Sequence, residues 1–255
     1  MRIARFTHDG TTAFGIVVGE GAASQLSVLH GNPLTTLAEP TGQHIPLDQV
    51  QLLPPTAPSK IVCVGKNYGE HIAEMGMAGS PEPTIFLKPP SALIGAGQAI
   101  VLPWQSKQVD LEVELAIVIG HLAKNVTEED ALDYVWGYTI ANDVTARDLQ
   151  YSDDQWARSK SFDTFCPVGP WVETEWVPAQ QRIFSEVDGQ TRQDDLLSSM
   201  IFDVRKIISY ISHNMTLLPG DLVLTGTPSG ISPIVSGQSV SCAIAGLGVL
   251  TNPVA

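Results

Sequence analysis

The chain has 255 residues, 44% hydrophobic and 16% charged, with 27 acidic against 14 basic side chains for a net charge of −13. That length suits one catalytic unit with a sizeable core, alone or with a small appendage, and the composition reads as folded, not disordered. The negative balance excludes nucleic acid and anionic membrane surfaces as partners. With 22 Gly and 18 Pro, many turns and a β-rich chain are expected. Cys63, Cys166 and Cys242 lack zinc-site spacing and read as the reduced thiols of a cytoplasmic protein. The opening MRIARFTHDG lacks the apolar run of a signal peptide, and no stretch approaches the roughly 20 apolar residues of a membrane span, so a soluble protein is expected.

Residues 2–8 and 13–18 are predicted as short strands around Asp9-Gly10, a dipeptide that favours a tight hairpin turn. They open a small β module assigned to residues 1–55. The Pro-rich stretch PPTAPSK (54–60) marks its end, because proline removes a backbone donor and restricts the residue before it. Residues 56–255 then form the catalytic domain. No internal repeat appears, which argues against a solenoid or propeller. IVCVG (61–65) and TIFLK (84–88) read as buried strands, and 110–119 as a longer one. Thr127 is expected to cap a helix through Thr-Glu-Glu-Asp, with Gly137 just past its end. Val187-Asp-Gly-Gln marks a hairpin, and Asp203 caps a second helix whose Val204, Ile207, Ile208 and Ile211 form one core stripe. Pro219-Gly-Asp turns into the strand LVLT (222–225). Together these elements predict an α+β fold with mostly antiparallel pairing.

In DLEVELAIVIG, Leu111, Val113, Leu115, Ile117 and Ile119 alternate on one strand face, while Glu112 and Glu114 share the other. Same-face neighbours lie roughly 6.5–7 Å apart, so two such anions beside apolar surface call for positive compensation. A solvated edge strand with two exposed glutamates is the alternative. Asp143 follows where the apolar run WGYTIA ends, as a third hard oxygen donor or simply a turn residue. With neither His nor Cys in this set, Mg²⁺, Mn²⁺ or Ca²⁺ is favoured over zinc.

His71 and Glu74 in KNYGEHIAEMGMAGSPEP are three apart on a short helix, where the carboxylate can orient the ring as a general base. Gly69, Gly76 and Gly79 flank the segment and suit a lid. An incidental surface pair would look the same. Arg147 and Lys160 suit an anionic substrate, or serve as partners of Asp148, Asp153 or Asp163. LTGTPSG (224–230) either binds a carboxylate or closes a loop. Cys166, before Pro167 in an apolar setting, reads as structural. Walker, G-x-G-x-x-G, H-E-x-x-H and G-x-S-x-G motifs are absent, which argues against nucleotide binding and serine hydrolysis.

These segments, in this order, resemble the fumarylacetoacetate hydrolase superfamily, especially its acylpyruvase-like members. The resemblance runs from KIVCVGKNYGEH through FLKPPSALIG, VDLEVELAIVIG, GYTIANDVTARDLQ, WARSKSFDTFCPVGP and PGDLVLTGTPSGI to GLGVLTNPV, covering roughly residues 58–255, and the N-terminal module resembles the family's small leading domain. It implies metal ligands at Glu112, Glu114 and Asp143, a lid dyad at His71 and Glu74, a catalytic lysine at Lys160, and substrate contacts at Arg147, Gln150, Lys88 and Thr227. It further implies a mixed β-sandwich roll, assembled as a homodimer, that binds Mg²⁺ or Mn²⁺ and acts on a small 2-oxo acid. Hydrolysis of a C–C bond in a 2,4-dioxo acid of acylpyruvate or fumarylpyruvate type, releasing pyruvate, ranks first. Isomerisation of 2-hydroxyhepta-2,4-diene-1,7-dioate in aromatic catabolism and decarboxylation of oxaloacetate are the alternatives, with a non-catalytic metal-and-acid-binding protein more remote. The short loop between Gln150 and Trp156 departs from the mitochondrial members and leaves substrate choice open.

Overall fold

In the computed structural model, residues 1–255 are described, apart from the side chain of Ala22. Strands β1 (Arg2–His8) and β2 (Thr11–Val18) form the expected hairpin, with Asp9 and Gly10 at φ 48° and 74°, the left-handed pair that matches strand twist. Strands β3 (Gln25–Leu29), β4 (Pro40–Pro46) and β5 (Gln51–Leu53) complete the leading module. Ala4, Phe6, Leu26, Val28 and Ile45 give it a small core of its own.

After the Pro-rich break come β6 (Ile61–Gly65), helix α1 (Gly69–Glu74), β7 (Thr84–Lys88) and β8 (Leu93–Ile94). Then follow β9 (Val109–Leu111), β10 (Val113–Ile119), β11 (Val135–Asn142), β12 (Thr145–Ala146) and the short helices α2 (Arg147–Ser152) and α3 (Ala157–Lys160). The remainder is β13 (Cys166–Glu173), β14 (Arg182–Val187), β15 (Gln190–Leu196), helix α4 (Val204–Asn214), β16 (Leu222–Leu224), β17 (Ser232–Pro233), β18 (Ser239–Ile244) and β19 (Gly248–Pro253).

The main sheet runs β4-β3-β2-β1-β13-β11-β10-β16-β6-β7, so the leading module continues it through the β1–β13 pair. A second sheet, β15-β14-β18-β19, faces it, and β12-β9-β17 forms a small ribbon. Pairing is mainly antiparallel, with parallel pairs at β6–β16 and β8–β13.

Strand β10 lies in the middle of the main sheet and is buried on both faces. Leu115, Ile117 and Ile119 pack with Ile183 and Ile244 of the second sheet and Ile207 and Ile211 of α4, while Ala116 and Val118 pack with Cys63, Val168 and Leu224. An edge strand with solvated glutamates is thereby excluded. Burial of each such aliphatic side chain contributes about 1.5–3 kcal/mol, so Ile117→Ala costs about 2–5 kcal/mol once the cavity is included. Asp203 caps α4 as expected, accepting from Lys206 N at 2.9 Å, and its apolar stripe is core.

Two expectations need correction. The single strand over 110–119 is two strands, broken at Glu112, where β9 leaves for the ribbon and β10 stays in the main sheet. The segment after Thr127 is a turn and a single 3₁₀ helix, Ala131–Tyr134, and Gly137 lies inside β11 instead of ending a helix. A Cβ at Gly137 would come within 2.6 Å of the Glu173 carbonyl oxygen, so close strand packing, not a helix end, requires that glycine. No helix among the described residues is long and apolar enough to cross a membrane.

Candidate active site

The break at Glu112 creates the site. There the backbone N–H donates to Asn142 Oδ1 (2.9 Å) and the carbonyl accepts from Asp143 N (2.8 Å), so side-chain and loop partners replace the strand ladder. The next N–H, of Val113, donates to Gln193 Oε1 at 2.9 Å. Strand β11 runs beside β10 in the register Val113↔Asn142, which delivers Asp143 next to Glu112. Glu112, Glu114 and Asp143 are all buried, and their candidate ligand atoms lie within 4.8 Å of one another.

Three cations surround this acidic floor. Lys160 Nζ bridges Glu112 Oε2 (2.8 Å) and Asp143 Oδ2 (2.6 Å), and Lys88 Nζ donates to Asp143 Oδ1 (2.6 Å) and the Val144 carbonyl (3.1 Å). Arg147 donates through Nη2 to Glu112 Oε1, through Nε to Asp110 Oδ2 (2.7 Å) and through Nη1 to Gln150 Oε1 (2.5 Å). Burial alone would raise the Glu112 carboxyl, but Lys160 and then Arg147 hold it well below the carboxylate range. Burial works against the Lys160 ammonium too, yet Asp143 and Glu112 overcome it and keep the group protonated.

Glu114 differs. It pairs with no cation among the described residues and accepts only from Gly226 N, at 2.7 Å. Burial, then Asp143, then Glu112, drive its carboxyl well above the ordinary value. With Asp110 included, the carboxylates outnumber the cations by one. This surplus, in an all-oxygen set, fits a hard divalent cation, which would let Glu114 ionise.

Helix α1 roofs the floor. His71 Nδ1 lies 3.2 Å from Glu74 Oε2, and Glu74 Oε1 accepts from Gly230 N at 3.1 Å. Ser229 Oγ donates to Glu70 at 3.3 Å, a second tie from the TGTPSG loop to the lid. Between roof and floor is a cavity of about 30 Å³, room for roughly two waters. Its side wall includes Phe86 and Trp156, edge to face at 5.4 Å. A Cβ on Gly65 would meet the Trp156 ring at 2.7 Å, so this wall depends on a glycine there.

The structure brings the sequence-selected residues together. His71, Glu112, Glu114, Asp143, Arg147, Gln150, Lys160 and Thr227 line the cavity, while Glu74 holds His71 and Lys88 holds Asp143 from behind. Arg147, expected to meet a substrate carboxylate, has its guanidinium engaged by Asp110, Glu112 and Gln150. Thr227 Oγ1 donates to the Val113 carbonyl (2.8 Å) and accepts from Gln193 Nε2 (2.6 Å). Asp110, Asn142 and Gln193 escaped the sequence reading. Asp110 adjoins the E-x-E pair and could have been suspected; Gln193 comes from the second sheet and carries no local signal. Burial pushes the Cys166 thiol up to about 12, against a nucleophilic role.

A mixed sheet roll with an oxygen donor set for a hard cation beneath a short helical lid defines the class of protein. Residues 60–255 match the family described as fumarylacetoacetate (FAA) hydrolase C-terminal, and residues 1–55 one described as Rv2993c-like, N-terminal. The chain belongs to the fumarylacetoacetate hydrolase family, and its fold is of that type. It is similar to a 2-hydroxyhepta-2,4-diene-1,7-dioate isomerase from Mycobacterium marinum, at TM-score 0.93 and 46% identity over 100% of this chain and 98% of that one. A fumarylpyruvate hydrolase from Pseudomonas aeruginosa, solved with Mn²⁺ and pyruvate, gives TM-score 0.74 at 34% identity, over 80% and 91%. The mitochondrial oxaloacetate tautomerase FAHD2A of Bos taurus is 40% identical over 250 residues, 93% of this chain and 75% of that protein. These relatives are enzymes, and tautomerisation joins the reactions expected from sequence.

Proposed function

We propose that this protein is a divalent-metal-dependent enzyme that hydrolyses a C–C bond in a small 2,4-dioxo acid of acylpyruvate or fumarylpyruvate type, releasing pyruvate. The observation that carries this reading is the buried triad Glu112, Glu114 and Asp143, within 4.8 Å, directly below the His71–Glu74 pair. The triad would hold Mg²⁺ or Mn²⁺, which when bound supplies Lewis-acid polarisation of the substrate's 2-oxo group. Lys160 Nζ, kept protonated by its neighbours, offers positive charge to an oxyanion developing at the floor. With Nδ1–H donated to Glu74, His71 retains Nε2 as the basic nitrogen that takes a proton from water. Gln150 and Thr227 contact substrate from the cavity wall, while Arg147 and Lys88 hold Glu112 and Asp143 in place. The lid excludes bulk water once closed.

A second reading is favoured by relatives named as an isomerase and a tautomerase: the same His71 Nε2 moves a proton between carbon and water without C–C cleavage. Decarboxylation of oxaloacetate uses the same protonation. The deciding experiment incubates the protein with acylpyruvates, fumarylpyruvate, oxaloacetate and the heptadienedioate, with Mg²⁺, with Mn²⁺ and with chelator. Pyruvate plus a carboxylic acid supports hydrolysis; an isomer, a shifted keto–enol ratio or CO₂ supports the rivals; binding without turnover leaves a non-catalytic acid-binding protein. A homodimer and a cytoplasmic home belong to the same proposal. Exposed Val101 and Trp104 on one loop suit cover by a second copy, which sedimentation checks, and three buried unpaired cysteines suit a reducing compartment.

A further inference from the structure

Strand β15 reads QTRQDDL, and in this polar segment Gln193 is fully buried while its neighbours Arg192 and Asp194 are exposed. The pairing explains how. Phe184 of β14 faces Asp194 and Glu186 faces Thr191, so Ser185 opposes both Arg192 and Gln193, which makes a β-bulge. A bulge bends its strand and re-aims a side chain, here a carboxamide turned into the interior. A buried amide is costly unless its polar atoms are paired. Gln193 meets that demand in full: Oε1 accepts from Val113 N (2.9 Å) and Ser185 Oγ (3.0 Å), and Nε2 donates to Thr227 Oγ1 (2.6 Å) and the Pro228 carbonyl (2.8 Å).

These partners belong to the two halves of the site. Val113 stands between Glu112 and Glu114, and its backbone is held twice, the N–H by Gln193 and the carbonyl by Thr227. Thr227 and Pro228 open the loop that reaches Gly230, whose N–H donates to Glu74 Oε1 (3.1 Å), and Glu74 Oε2 lies 3.2 Å from His71 Nδ1. The bulge seats the far end of that loop as well. Gly230 has φ 93°, and a Cβ there would collide with the Arg192 carbonyl oxygen, so only glycine lets the loop lie against the bulge. Arg192 and Gln193 thus meet the loop at both ends, while Gln193 also holds the floor strand.

We propose that Gln193 is a positioning residue that sets the His71–Glu74 pair in register with the acidic floor. The inference deepens the reading of this site as catalytic and rests on it. A general base works only when it is placed to within a fraction of an ångström of the reacting group, and here base and floor come from segments far apart in the chain. One rigid, fully bonded amide joins them: Val113 on one side, and on the other Pro228, then Gly230, Glu74 and His71. An apolar side chain of the same size would fill the space and tie neither half. Ser185 supports Gln193 from the second sheet, so its removal costs the core a hydrogen bond but leaves both halves of the site tied.

The test reads the ring-nitrogen NMR signals of full-length protein carrying isotope-labelled histidine, with Mg²⁺ present, in the wild type, Gln193→Leu, Gln193→Met and Ser185→Ala. The His71 signals are identified by their loss in His71→Asn. Methionine matches the length of glutamine and keeps the core filled if leucine does not. The His71 signals should move in both Gln193 variants and stay in place in Ser185→Ala, although all three lose a buried hydrogen bond. At saturating Mg²⁺, kcat for an acid that the wild type turns over should fall about 10²-fold in Gln193→Met. In the His71→Asn background the same substitution should cost less than about threefold, because a misplaced base no longer matters. Unmoved His71 signals in a folded Gln193 variant overturn the proposal, as do an equal movement in Ser185→Ala and full additivity with His71→Asn. Loss of the fold in both Gln193 variants, with Ser185→Ala still folded, would make the amide a core element only and overturn it too. A wild type that turns over none of the acids would count against the enzymatic reading alone, since the ring signals are read without substrate.

Discussion

The side chains of Glu112 and Asp143 on the floor of the cavity are 4% and 1% exposed, whereas Glu74 on the lid above them is 32% exposed. The floor sits at the end of a strand packed on both faces, and each of those two carboxylates is held by two cations. The lid is a six-residue helix whose N-terminus has no side-chain cap, tied down by single bonds from Ser229 and Gly230. Fold and chemistry therefore share residues on the floor and are separable in the lid. A floor built this way is preorganised, whereas a short helix held this way has less to keep it in place.

The largest effect should come from Glu112→Gln, which removes a candidate ligand and the partner of two buried cations. Calorimetric Mg²⁺ binding should disappear, turnover should fall by about 10³-fold or more, and denaturant unfolding should show a loss of about 3 kcal/mol. His71→Asn should reduce kcat by about 10²- to 10⁴-fold, yet keep metal binding and shift stability by no more than about 0.5 kcal/mol. Loss of metal affinity in His71→Asn would break the division between floor and lid.

Gln193→Leu probes how far the floor extends. It leaves the Val113 N–H and the Pro228 carbonyl without their partner, at a cost of about 1–3 kcal/mol, and should weaken Mg²⁺ binding about tenfold although residue 193 touches no candidate ligand. Unchanged metal affinity would confine the floor to its immediate cations.

The smallest effect concerns acid. Burial opposes ionisation of Asp221, but Lys60, Leu218 N and Ser59 prevail and hold its carboxyl below the ordinary 3.8. A folded-state value below the unfolded one means that this group stabilises the protein above about pH 4 and loses that contribution as pH falls through the folded value. In Asp221→Asn the fall in thermal stability below about pH 4 should therefore be shallower, with Mg²⁺ binding at neutral pH unaltered. An acid limb identical to that of the wild type would show that other carboxylates carry it.

Much of this molecule was legible locally. Strand β10 announces itself by period-two alternation, the hairpins at Asp9-Gly10 and Asp188-Gly189 by turn chemistry, and α4 by its Asp203 cap and apolar stripe, all set by neighbours a few residues away. The same alternation set Glu112 and Glu114 on one face, and the family resemblance added Asp143, His71, Glu74 and Lys160 to the site. Tertiary structure alone decided that β10 is central and not an edge, because it pairs with β11 on one side and with β16, far away in the chain, on the other. It also decided that the chain breaks at Glu112, that Arg147 is engaged by Asp110 and Glu112, and that Gln193 braces Val113 from the other sheet. Periodicity and capping are short-range properties of the backbone, whereas a charge finds its partner only when the fold closes, and no local pattern records which of several carboxylates it meets.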